Sequence, residues 1–149
     1  MKKLAYFLVS ITSIYCMTGL ISSKADASDY IGDFCWDVVG EGGASIVKLG
    51  VSDLGGQHYL LTGKMINKSD KTLQNILNGN VEFIGTKYYG TIVGSGKDNT
   101  SMWTGTTFIT LNDSDLNGTA EGIGHDHSYK DLSTDTEYNS SLMTSIPCP

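Results

Sequence analysis

The chain predicts an all-β fold: a single-domain antiparallel up-and-down β-barrel of about eight strands. Three observations carry this. Apolar residues recur with period two in one segment after another. Clusters of Gly, Asn, Asp and Ser separate those segments at hairpin distances. Proline occurs only at Pro147 and Pro149, which leaves residues 28–146 free to join sheet ladders.

Taken in order, the first 27 residues stand apart from the fold. Met1-Lys2-Lys3 is cationic, residues 4–21 are mostly apolar and uncharged, and Ala25-Asp26-Ala27 offers small residues at a cleavage site. That is the pattern of a secretory signal peptide, with Ser28 as the mature start and residues 28–149 as the β-barrel domain. The apolar run is long enough to be weighed as a membrane span. The A-x-A site favours cleavage, so no stable membrane insertion is expected afterwards. Cys16 raises lipidation, but Tyr15 is bulky where such sites want a small residue, and Cys16 is expected to leave with the signal. The protein is therefore expected to be exported, periplasmic or extracellular.

The strands follow. Phe34, Trp36 and Val38 share a face of the first; Val47, Leu49 and Val51 share a face of the second. Tyr59, Leu61 and Met65 mark the third, Val81 and Phe83 the fourth, and 89–93 the fifth. In the sixth, Trp103, Ile109 and Leu111 lie on one face and Phe108 on the other, among Thr104, Thr106 and Thr110. Residues 116–123 form the seventh, and Leu142, Thr144 and Ile146 the last. Turns are expected at 52–56, at Asn78-Gly79-Asn80, at 94–99 and at 113–118. Residues 70–77 suggest a short helix capped by Ser69 or Asp70. The polar run 133–141 reads as a loop. Gly63, Gly90, Gly105 and Gly122 interrupt regular strands, as glycines do where strands bend or coil into a small barrel.

Removing the signal leaves two cysteines, Cys35 and Cys148, near opposite ends of a chain bound for an oxidising compartment. A disulfide is expected. Closing so long a loop is worth roughly 4–5 kcal/mol in the chain-entropy model. The pairing would set the first strand beside the C-terminal segment, as a closed barrel requires.

The mature chain keeps seven lysines and fifteen acids, for a net charge near −8, and contains no arginine. Nucleic-acid binding is disfavoured, because phosphate contacts need clustered Lys or Arg. Docking on an anionic membrane is disfavoured for the same reason.

Residues 30–36, Tyr-Ile-Gly-Asp-Phe-Cys-Trp, resemble the opening of lipocalin-like (calycin) barrels. In those, a glycine precedes a tryptophan that plugs one end. Three residues separate Gly32 from Trp36 here, where the usual pattern has one. Residues 59–64, Tyr-Leu-Leu-Thr-Gly-Lys, and 102–105, Met-Trp-Thr-Gly, are similar to strands of avidin-type barrels. Those surround biotin with several tryptophans. Only Trp36 and Trp103 occur here, so the resemblance implies the barrel shape and not biotin binding.

An eight-stranded barrel either fills its interior or holds one small ligand. Trp36, Tyr59, Phe83, Tyr89, Trp103 and Phe108 are the candidate ligand-lining residues, with Tyr88 and Tyr89 pointing to opposite faces. The expected partner is a small apolar or amphipathic molecule. The alternative is a protein partner, met by the exterior of a filled barrel acting as inhibitor or effector.

No resident cofactor is expected, but the residues leave two metal readings open. Asp113-Ser114-Asp115-Leu116-Asn117-Gly118 matches the start of a calcium loop, D-x-D-x-N-G. The twelfth position is Gly124 rather than the bidentate Glu such loops use, and Glu121 falls at the ninth; an Asx-rich turn is the rival reading. His125 and His127 would share a strand face and could offer imidazoles to Zn²⁺ or Cu²⁺, with His58 or an acid as third ligand; solvated surface residues are the rival. No catalytic residue is singled out: no G-x-S-x-G elbow occurs, and Cys35 is expected to be bonded.

Overall fold

The computed structural model describes residues 29–40 and 43–149; the expected signal peptide at 1–27, with Cys16, lies outside the described residues. Eight antiparallel strands follow one another around a closed barrel, each pairing with the next and the last returning to the first. They are β1 (Asp29–Gly40), β2 (Gly43–Gly55), β3 (His58–Asn67), β4 (Leu73–Ile84), β5 (Lys87–Lys97), β6 (Ser101–Asn112), β7 (Gly118–Ser128) and β8 (Thr134–Ile146). This is the all-β, up-and-down architecture that the period-two pattern and the turn spacing predict.

The turns expected at 52–56 and 94–99 fall later, because β2 runs to Gly55 and β5 to Lys97, and three further local expectations fail for physical reasons. Residues 70–77 form no helix. Ser69 and Asp70 belong to a hairpin loop, and from Leu73 the chain alternates as β4, with Leu77 buried and Ile76 exposed. Asn78-Gly79-Asn80 is not a turn. It lies in mid-β4, paired on one side with Thr62, Leu61 and Leu60 and on the other with Val93, Ile92 and Thr91. Gly79 is there for close approach, since a Cβ would lie 2.3 Å from the Thr91 carbonyl oxygen. The stretch 133–141 is not a loop either: from Thr134 it is strand, paired with β7 along its length.

The polar character of that last strand has a structural origin. β1 pairs with β8 only from Gly40 opposite Ser141 to Cys35 opposite Ile146. Among the described residues, Thr134–Ser140 therefore have β7 as their sole strand neighbour. This part of the wall stands free above the β1–β2 hairpin, and water reaches both of its faces. All seven of these residues are exposed.

Inward side chains pack a layer across the middle of the barrel. Trp36, Val47, Leu49, Leu61, Leu77, Val81, Ile92, Ile109, Leu111 and Met143 are all buried there. The seam between β1 and β8 is stapled by a disulfide between Cys35 and Cys148, with Cα atoms 5.1 Å apart. The register explains it: Ile146 lies opposite Cys35, so the tail just beyond β8 brings Cys148 alongside.

Candidate ligand-binding site

The barrel is hollow on one side of its buried layer and holds a smaller cavity on the other. The larger space, the lumen, has a volume of about 370 Å³ and opens at the end carrying the 68–72, 98–100 and 129–133 loops. Val38, Val47, Met65, Leu77, Ile92, Ile109 and Met143 form its apolar floor and lower walls. Ser45, Gln74, Asn75 and Asn139 add polar groups, and Trp103, Asp126 and Glu137 stand nearer the mouth. Gly94, Gly105, Gly122 and Gly124 supply much of the β5–β7 wall, and with no side chains there the space stays open.

Two hydrogen bonds brace the lumen. Ser45 Oγ donates to Gln74 Oε1 at 2.7 Å, and the indole Nε1–H of Trp103 donates to Asn75 Oδ1. Gln74 owes its inward aim to an irregularity in β4. Met65 pairs with Asn75 while Ile66 pairs with Leu73, so Gln74 is the extra residue of a bulge.

The smaller cavity, about 190 Å³, lies at the opposite end. Its walls are almost wholly apolar: Phe34, Trp36, Val51, Tyr59, Leu61, Val81, Tyr88 and Leu116 among them. The β6–β7 loop folds over this end, where Trp36 Nε1–H donates to the Leu116 carbonyl at 2.7 Å. Tyr88 packs against Tyr59 and Phe83, with ring centroids 6.0 and 4.9 Å away. Burial, then the charge of nearby Asp113, pushes the Tyr88 hydroxyl above its ordinary value.

The residues singled out in the sequence are thus distributed over several places. Trp103 lines the lumen, and Trp36 and Tyr59 line the smaller cavity. Phe83 supports that cavity through Tyr88. Tyr89 and Phe108 are on the outer wall, 44% and 64% exposed, because they fall one residue out of phase with inward Tyr88 and Ile109. The sequence reading missed the polar set Ser45, Gln74, Asn75, Asp126, Glu137 and Asn139. Strict alternation from Met143 was the available signal for Glu137, Asn139 and Ser141.

The acidic turn and the histidines are engaged locally. Asp115 accepts hydrogen bonds from the backbone and the side-chain amide of Asn117, both at 3.0 Å. Asn117 Oδ1 in turn accepts from the Ser145 backbone N–H at 2.8 Å, and Asp113 accepts from the Tyr88 hydroxyl. The same loop recurs. Asp70 caps Thr72, Asp131 caps Ser133, and the residue after each aspartate, Lys71, Leu116 or Leu132, has positive φ. The D-x-D-x-N-G match therefore falls on one instance of a repeated hairpin loop. His125 and His127 do share one face, the outer one, where their Nδ1 atoms lie 3.0 and 2.9 Å from the hydroxyls of Thr136 and Thr134. Among the described residues, no three His, Cys, Asp or Glu side chains converge as a metal site.

No protein-family model matches the chain, and no curated protein matches its sequence.

Proposed function

We propose that the protein is an exported, lipocalin-like binding barrel whose lumen takes up one small amphipathic molecule. The observation that carries this reading is the lumen itself. At about 370 Å³ it lies within the range of small-molecule sites, open at one end, apolar below and polar toward the mouth. Barrels of eight strands are narrow enough that side chains normally fill them. Here Gly124, and less freely Gly105, occupy wall positions where a side chain could otherwise project into the space. Export is supported by the signal-like start and by the Cys35–Cys148 disulfide, a bond that persists in oxidising compartments.

Gly124→Leu is the direct test. An added Cβ at Gly124 meets nothing nearer than the Thr104 carbonyl oxygen at 3.9 Å, so a leucine there projects into the lumen without displacing backbone. Small aromatic alcohols titrated into the wild-type protein should shift the NMR signals of Met65, Ile92 and Trp103. The same titration of Gly124→Leu should leave those signals unmoved. Shifts confined to outer-wall residues, or shifts that persist in the variant, would overturn the reading.

A second reading, a protein-interaction module, draws on the outer wall of β6–β8. Phe108, Tyr138 and Leu142 are all prominently exposed there. It predicts that substituting these residues, and not Gly124, abolishes capture of a partner.

A further inference from the structure

We infer that the ligand of this lumen is a cation: a protonated amine carried on a compact apolar or aromatic body. This rests on the reading of the lumen as a binding site and adds the charge of the occupant. Two carboxylates line the mouth, Asp126 on β7 and Glu137 on β8. The register fixes their setting. Asp126 lies directly opposite Trp103, and Glu137 lies opposite Gly124, which offers no side chain to cover it. Among the described residues neither carboxylate makes an ion pair, and no lysine lines the lumen. His125, at the edge, is turned to the hydroxyl of Thr136.

Lysines do occur near this end, outside the lining: Lys68, paired with Asp37, and Lys71, Lys97 and Lys130 at exposed positions on the loops or at the end of β5. The last three each sit beside an aspartate, Asp70, Asp98 or Asp131, so the rim is close to neutral while the lining is negative. Salt screens exposed charges over about 8–10 Å, so the acids nearest an occupant outweigh the more distant charges of the rim.

The aromatic group agrees with the acids. Trp103 is half-buried in the lining, and its ring is fixed by the Nε1–H bond to Asn75. A fixed indole opposite Asp126, with Glu137 on the next strand of the same lining, receives a cation through both its ring face and their charge. An anionic head group, such as that of a fatty acid, would meet unpaired like charge at the same place. The apolar floor of Leu77, Ile92 and Met143 takes the uncharged body, so the lining runs from apolar to acidic along the axis of entry.

The test uses three probes of one shape: 1-naphthylmethylamine, 1-naphthylmethanol and 1-naphthoic acid, titrated by calorimetry into the disulfide-bonded protein at pH 7. The amine should bind at least tenfold more tightly than the alcohol, the acid should bind most weakly, and added salt should narrow the gap. Asp126→Asn combined with Glu137→Gln should erase the preference for the amine and leave the alcohol unchanged. Both replacements are isosteric and lie at exposed positions, so the fold tolerates them. If the alcohol matches the amine, or the double variant keeps the preference, the charge assignment is overturned while the lumen remains a site. If no probe binds, or binding persists in Gly124→Leu, the lumen reading fails and takes this inference with it.

Discussion

Replacing Cys35 and Cys148 together by alanine should cost this barrel about 4–5 kcal/mol. The bond joins residues 113 apart in sequence, so reduction frees a loop of nearly the whole described chain. The chain-entropy relation gives about 16 cal/mol/K for such a loop, or about 4.8 kcal/mol at 25 °C. A single barrel of this size has a total stability on the order of 5–15 kcal/mol, so the loss is a large part of it. The seam concentrates the effect, because β1 and β8 pair over six residues each and the bond lies at the end of that ladder. Urea unfolding followed by Trp36 and Trp103 fluorescence would measure the change, with a steeper dependence on denaturant expected because the unfolded variant is more expanded. Native-state hydrogen exchange should show β8 and the C-terminal half of β1, Cys35–Gly40, losing protection before β4 and β5. A cost below about 1 kcal/mol, or protection lost evenly around the barrel, would refute the reasoning.

Other outcomes are as specific. Leu132 has φ of 57° and is 87% exposed, so Leu132→Asn should stabilise the protein by about 0.5–1 kcal/mol in thermal unfolding, whereas Leu116→Asn should destabilise it, because Leu116 has the same strained backbone but lines the smaller cavity. Trp36→Phe removes the donor to the Leu116 carbonyl and should cost about 1–3 kcal/mol by chemical denaturation, with the β6–β7 loop losing hydrogen-exchange protection. Hydrogen bonds from Ser128 and Ser133 hold the Asp131 carboxyl at about 2, below its ordinary 3.8. Its contribution is therefore complete above about pH 4 and is lost as pH falls through 2, so a carbon-detected NMR titration should show a midpoint near 2, and one at 3.8 would contradict the assignment.

The architecture was legible in the sequence because it follows from period-two patterning, which a barrel with a buried interior enforces at every strand. The disulfide was legible because only two cysteines, Cys35 and Cys148, lie beyond the expected signal segment. The failures share a cause: each was a local signal overruled by a neighbouring strand. Asn78-Gly79 has the chemistry of a hairpin turn, yet Gly79 answers the approach of β5 at Thr91. The run 133–141 looks like a loop because part of the wall there is wet on both faces, a fact set by where β1 ends. Phe108 and Tyr89 were grouped with the interior on aromatic character alone, although the parity that puts Ile109 and Tyr88 inside puts them outside. The lumen acids were missed because Glu137 and Asp126 sit in segments too polar to read as inward-facing, and only the pairing of β6, β7 and β8 puts them in the lining with Trp103.

The glycines explain why a barrel of ordinary strand number is hollow, and they fall into two sets with different causes. At Gly63, Gly79, Gly90, Gly96, Gly118 and Gly122 an added Cβ would lie 1.8–2.7 Å from a carbonyl oxygen. These positions are closed to any side chain, because the strands coil tightly against one another there; they serve curvature, and a larger residue would break the wall before it filled the interior. Gly105 and Gly124 differ. Their nearest atoms are 3.1 and 3.9 Å away, so geometry does not demand glycine at either site to the same degree, and at Gly124 it scarcely demands it at all. A leucine or valine at Gly124 would add partly buried apolar surface, worth at most about 1.5–3 kcal/mol, the value for full burial. A barrel shaped for stability alone would therefore gain by filling that position. The space beside Trp103 and Glu137 is stability forgone, as is common where a fold keeps a functional site, and that is the strongest reason to regard the lumen as a site rather than a packing defect.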